Sequence, residues 1–125
     1  MSTTSRIFSS RIVYLTGGTT PVVTLDTYFK DKNITEVDFI KIDTEGFESE
    51  VFKGAARIFA ELKPKYVQIK FNWHQLFRNT SLHYFSQLLQ DYDMYQLIPN
   101  GWVLRDPKDP LVNIYSYSNF VFVKN

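Results

Sequence analysis

The stretch Val37-Asp38-Phe39-Ile40-Lys41-Ile42-Asp43-Thr44-Glu45-Gly46-Phe47-Glu48 changes its periodicity half-way along. Up to Ile42 it is rich in β-branched and aromatic residues, the composition of a strand. Beyond Gly46, the residues Phe47, Val51, Phe52, Ala55, Ile58, Phe59 and Leu62 keep one apolar face at a 3.6-residue period. Glu50, Lys53, Arg57 and Glu61 fall on the other side, which predicts one amphipathic helix running to Lys63-Pro64. A strand that enters a helix through an acidic turn is a building unit of α/β folds.

Downstream, Tyr66 to Phe71 reads as a strand, and Leu82, Phe85, Leu88, Leu89 and Tyr92 mark the face of a second helix. Tyr95 to Ile98 and Asn119 to Val123 read as strands, with turns at Pro99-Asn100-Gly101 and from Asp106 to Pro110. Upstream, Ile12 to Leu15 and Val22 to Thr24 predict two short strands about Gly17-Gly18, then a short helix on Leu25, Tyr28 and Phe29 entered at Thr24 or Asp26. The alternation predicts a parallel sheet covered by helices, with ligands at the carboxyl ends of its strands. Two such ends matter, Asp43-Thr44-Glu45-Gly46 and Asn72-Trp73-His74. Residues 1–21 form a polar N-terminal segment with a hairpin, and residues 22–125 form the α/β domain.

The 125 residues make one domain, and 44% hydrophobic side chains suffice for a core. Fourteen basic against thirteen acidic residues leave a net charge of +1, so no charge excess favours nucleic acid or anionic membrane. The absence of cysteine excludes disulfides, thiolate metal sites and a cysteine nucleophile. No apolar run approaches the roughly 18 residues of a membrane span. The Ser/Thr-rich start lacks a signal-type apolar stretch; a transit peptide is the lesser alternative, and the expected compartment is the cytoplasm.

Asp43 and Glu45 admit two readings. In one, Asp43 or Thr44 caps the helix while Gly46 supplies a positive φ; in the other, Asp43 and Glu45 form a carboxylate pair facing a cation or a substrate hydroxyl. His74, placed in the loop after a strand, could reach substrate as a base or simply pack beside Trp73. His83 is expected at the surface of its helix. No histidine–carboxylate spacing suits a metal, and no Ser-His-Asp arrangement stands out.

The block from Val37 to Glu48, with Val51-Phe-Lys-Gly-Ala55 and Lys63-Pro64, resembles the signature of the FkbM-type methyltransferases. Val23-Thr-Leu-Asp26 resembles the segment just before that block, and the likeness extends from about Val22 to Asn125. It implies a Rossmann-like sheet with an antiparallel last strand, which Asn119 to Val123 would supply. It also implies S-adenosylmethionine as cofactor and O-methylation of a small-molecule hydroxyl, as on a sugar or polyketide. Asp43, Thr44, Glu45 and Gly46 would then touch the cofactor; Asp43, Glu45 and His74 are the catalytic candidates, with Asn72 and His74 on the substrate side.

Two departures stand against that pattern. The first strand, its glycine-rich loop and the ribose-binding acid have no counterpart here, so the resemblance implies only the C-terminal half of the domain. Such a partial sheet is expected to bind S-adenosylmethionine weakly or not at all. It should expose an edge along Val37 to Ile42 to the missing half or to a second copy. The second departure is Lys70, where the family often carries a glutamate; it either reverses the charge of the site or points idly to solvent. A non-catalytic interaction module, or one half of a split enzyme, is the alternative reading.

Overall fold

The computed structural model describes residues 12–15, 18–114 and 117–125, with side chains from residue 22 onward except at 115–116. Strands β1 (Ile12–Leu15) and β2 (Gly18–Pro21) pair antiparallel as a separate two-stranded sheet. The second strand of this hairpin therefore ends before Val22, earlier than expected, and Gly17 lies outside the described residues. Val22 instead enters the main core, and Thr24 caps helix α1 (Leu25–Asp31) by accepting from the Thr27 N–H at 3.0 Å.

Strand β3 is Phe39–Ile42, two residues shorter at its start than the sequence suggests. The long helix expected from Phe47 to Leu62 is broken. Helix α2 spans Glu48–Lys53, the chain turns at Gly54, and a π-helical turn follows at Ile58–Leu62. Glycine is a poor helix former, and here Asp26 exploits the break. The Asp26 N–H donates to the Gly54 carbonyl at 2.9 Å. The Asp26 carboxylate accepts from the backbone N–H groups of Arg57 at 2.9 Å and Ile58 at 3.0 Å. A cap supplied from a distant segment thus restarts the helix, an interaction of about 0.5–2 kcal/mol in ordinary N-caps.

Strand β4 (Tyr66–Phe71) has the expected limits. Helices α3 (His74–Phe77) and α4 (Leu82–Leu88) follow, and α4 stops short of Tyr92, which opens strand β5 (Tyr92–Ile98). Strand β6 (Gly101–Leu104), unanticipated because only four residues separate its turn from the next, pairs with β5 across Pro99-Asn100. Strand β7 is Ser118–Lys124.

Among the described residues, the main sheet has the order β3-β4-β7-β5-β6. Only β3 and β4 pair in parallel; β7 runs antiparallel to both β4 and β5, so the sheet is mixed, where the alternation of elements by itself predicts a parallel one. β3, β4 and β5 nevertheless share one direction. β3 forms one edge.

One face of the sheet carries the core. Ile42, Val67, Ile69, Phe71, Phe120, Phe122 and Met94 alternate along their strands and pack with Val51, Phe52, Leu82 and Phe85 of the helices. On the other face Phe39 and Leu104 are 50% and 61% exposed, and Tyr95 stacks on Trp102 at 4.8 Å.

Candidate functional site

Parallel pairing of β3 with β4, in which Ile42 stands opposite Ile69, brings the two strand ends together. Lys70 therefore meets the acids that leave β3. Its ammonium lies 3.5 Å from Asp43 Oδ1 and 3.2 Å from Glu45 Oε1, and the Tyr117 ring covers it at 5.2 Å. Although it points to the face away from the helices, its side chain is only 15% exposed. The solvent-pointing alternative for Lys70 thus gives way to a bridging one. The hydrogen bond to Glu45, helped by the charges of Asp43 and Glu45, holds its pKa above the ordinary lysine value against the opposing effect of burial.

The turn between β3 and α2 is built around a residue with no role in the sequence reading. Glu48 is 1% exposed. Its carboxylate accepts from the Thr44 N–H at 3.2 Å, the Gly46 N–H at 3.0 Å and the Gln75 side-chain amide at 2.8 Å. Gln75 in turn accepts from the Thr80 hydroxyl at 2.6 Å. Around this carboxylate the backbone adopts positive φ twice in succession, 58° at Glu45 and 102° at Gly46. Gly46 is required on two counts. Its φ is unsuited to an L side chain, and a Cβ there would stand 3.0 Å from the His74 Cβ. The Gly46 carbonyl accepts from Arg78 Nε at 3.2 Å, and the Arg78 guanidinium lies over the Phe47 ring at 4.3 Å.

His74 is the first residue of α3, so it sits on a helix where a loop was expected. The His74 backbone N–H donates to the side-chain oxygen of buried Asn72 at 3.0 Å, which identifies that atom as Oδ1. The same oxygen lies 2.9 Å from His74 Nδ1. Because an amide oxygen only accepts, Nδ1 must carry a proton, and in the neutral ring Nε2 keeps the lone pair. Nδ1 also lies 3.6 Å from Glu45 Oε2, and Trp73 packs on the imidazole with centroids 3.9 Å apart.

The structure thus joins Asp43, Glu45, Lys70, His74 and Asn72 into one cluster, with Thr44 and Gly46 as its backbone support. The Thr44 hydroxyl is enclosed and has no hydrogen-bond partner among the described residues. His83 is half-buried with an enclosed Nδ1 that likewise has no partner there, so it is not the surface residue anticipated. Sequence reasoning missed Glu48, Gln75 and Arg78. Glu48 had a legible signal: with Val51, Phe52 and Ala55 it shares the i, i+3, i+4, i+7 positions of the apolar face, where a charge needs a reason.

An apolar groove of about 480 Å³ among Phe52, Ala56, Phe59, Tyr84 and Leu88 contains none of these residues. Among the described residues, no three His, Asp or Glu side chains group as metal ligands, and no helix is long and apolar enough to cross a membrane.

A cation that carries a nucleoside would find two carboxylates here, but Lys70 already lies between them. The inward amides of the turn are likewise taken by Glu48. The described residues therefore do not fit a complete cradle for such a group. A family model described as the methyltransferase FkbM domain matches residues 1–95, ending within β5. No curated protein and no solved structure matches the chain.

Proposed function

Because the chain belongs to the FkbM methyltransferase family, we propose that it forms the acceptor-side part of an S-adenosylmethionine-dependent O-methyltransferase acting on a small-molecule hydroxyl. One observation carries the reading: His74 is held by Asn72 with its proton on Nδ1, beside a charged cluster at the carboxyl ends of adjacent parallel strands. That is where α/β sheets place their ligands.

A neutral imidazole whose Nε2 keeps its lone pair can accept the proton of an acceptor hydroxyl as it becomes nucleophilic. Glu45, 3.6 Å from Nδ1, is near enough to stabilise the imidazolium so formed. Lys70 keeps Asp43 and Glu45 from confronting each other as bare like charges. S-adenosylmethionine would supply an already activated methyl group when bound, which would leave alignment and proton removal to these residues. The mixed sheet, with β7 reversed between β4 and β5, supports placing these strands in the C-terminal half of a Rossmann-like methyltransferase sheet.

The test is transfer of labelled methyl from S-adenosylmethionine to a panel of sugar and polyketide hydroxyls, with and without a polypeptide supplying the other half of the domain. His74→Gln should lower transfer by about 100-fold or more, the contribution usual for a general base. Unchanged transfer would remove His74 from the chemistry. Absence of transfer from the wild type in every combination would leave the second reading, a non-catalytic interaction module.

That second reading draws on β3, whose outer edge is unpaired among the described residues. Such an edge is a template for another strand. Either a separate half-domain or a second copy would satisfy it, and sedimentation of the 14.7 kDa chain should reveal self-association at moderate concentration. A strict monomer would count against a second copy.

A further inference from the structure

We propose that Glu48 is the positioning residue of this site: its buried carboxylate is a resident anion that holds the strand-to-helix turn in the left-handed shape that presents Glu45 to Lys70 and His74. The proposal rests on the functional reading above only for the purpose it gives the turn.

Consecutive backbone N–H groups in a tight turn make a concavity that attracts negative charge. In many proteins an external phosphate or carboxylate fills it. Here the Thr44 and Gly46 amides converge on the side chain that follows them by four and by two residues. Three features mark this contact as more than incidental packing. Each of the three groups donating to the carboxylate is an uncharged N–H, from the two backbone amides and the Gln75 amide. No cation pairs with Glu48 among the described residues, so its burial depends on these donors alone. And the residue enclosed between the two bonded amides is Glu45, which stands at φ 58° although it is not a glycine.

The strained residue is also the functional one. A non-glycine in the left-handed region persists only where its surroundings determine it, and here the determinant is identifiable. With the amides on either side of Glu45 fixed to one carboxylate, its side chain reaches Lys70 Nζ at 3.2 Å and His74 Nδ1 at 3.6 Å. Gln75 ties the same carboxylate to α3, the helix that carries His74, and Thr80 fixes Gln75 from beyond that helix. Glu48 thus sets the relative placement of the two strand ends, though it need not touch any ligand itself.

Three variants test this. Glu48→Gln keeps the side chain's size but turns an amide N–H₂ toward donors. Glu48→Ala removes a volume close to that of one acetate ion and leaves three donors converging on it. Glu48→Asp retains the charge but withdraws it by one methylene. The readouts are the amide resonances of Thr44 and Gly46, and the titration of the Lys70 side chain followed by NMR, with Val67 and Phe122 as reporters of the sheet. In Glu48→Gln at least one of the Thr44 and Gly46 signals should lose its hydrogen-bonded shift, and in Glu48→Asp both should. The Lys70 midpoint should fall toward the ordinary lysine value as Glu45 withdraws, while the sheet signals stay in place. In Glu48→Ala, added acetate should restore both readouts and chloride should not.

An unchanged Lys70 titration in Glu48→Gln would overturn the proposal. So would unfolding of that variant, since Glu48 would then support the whole fold and not the turn. Failure of acetate to restore a folded Glu48→Ala would equally refute the resident-anion account. None of these measurements uses a methyl donor, so their outcome is separate from that of the transfer assay.

Discussion

Replacing Gly46 with alanine should strain the chain at one identifiable point. At φ 102° an L side chain meets its own backbone, a penalty of about 1–2 kcal/mol for left-handed geometry. The new Cβ would also lie 3.0 Å from the Cβ of His74, well inside the roughly 3.5–4.0 Å of a comfortable carbon contact. Pushing His74 aside by a few tenths of an ångström adds about 0.5–1.5 kcal/mol, the range for a side chain forced off its preferred geometry. The sum is about 1.5–3.5 kcal/mol, which for a domain of this size lowers the melting temperature by roughly 6–14 °C. Urea unfolding with an unchanged m-value would measure it. A double-mutant cycle separates the two parts: in a His74→Gly background the contact disappears and only the backbone share should remain. A Gly46→Ala chain within about 0.5 kcal/mol of wild type, the scatter of ordinary surface substitutions, would refute this account of the turn.

Two further outcomes are expected. Lys70 and Tyr92 both bind their protons more tightly in the folded chain, Lys70 through its bond to Glu45 and Tyr92 through burial and the charge of Asp91. Their stabilisation is therefore whole below the unfolded values near 10.5 and 10.0 and is lost as pH rises through the raised folded ones. Urea melts should weaken on the alkaline side of pH 10, and the double variant Lys70→Met, Tyr92→Phe should flatten that decline; an identical slope would contradict the assignment. Calorimetry of the 125-residue chain with S-adenosylmethionine should give a dissociation constant no tighter than about millimolar, the scale of a few isolated contacts. Micromolar binding abolished by Asp43→Ala would mean that these residues do build a cofactor site.

The parts of the fold that follow from local patterning were legible in the sequence. β4 alternates strictly and was placed with its observed limits. The alternation also marked both strand ends as places for ligands, whereas their meeting comes from the pairing of β3 with β4. What escaped was decided by contacts distant in sequence. The break at Gly54 depends on Asp26, 28 residues earlier, whose carboxylate was assigned only a possible local cap. Tyr92 continues the apolar face of α4 by spacing, yet it pairs with Lys124 in the sheet, and its hydroxyl donates to the Pro64 carbonyl. Lys70 could not be placed by alternation alone, because alternation gives the face of the sheet and not what stands over it. Tyr117 arrives from the far end of the chain to cover it. The candidate cluster was half legible: its acids, Asn72 and His74 stand out at strand ends, whereas the buried carboxylate beneath them shows only as a charge on the apolar face of a helix.

The link between Asp26 and the restarted helix bears on how the molecule breathes. Helix α1 has no fully buried residue, though its half-buried Leu25 packs against the core, so its seven residues contribute only modest packing to resist opening. Its hold on the rest of the structure includes one carboxylate on two amides and one N–H on the Gly54 carbonyl. When α1 lifts away, Arg57 and Ile58 lose their acceptors at the same moment, and the beginning of the second helical segment frays with it. Two stretches some thirty residues apart in sequence therefore form one cooperative opening unit. The amide hydrogens of Arg57 and Ile58 should exchange with solvent on the timescale of α1, faster than those of the strands beneath them.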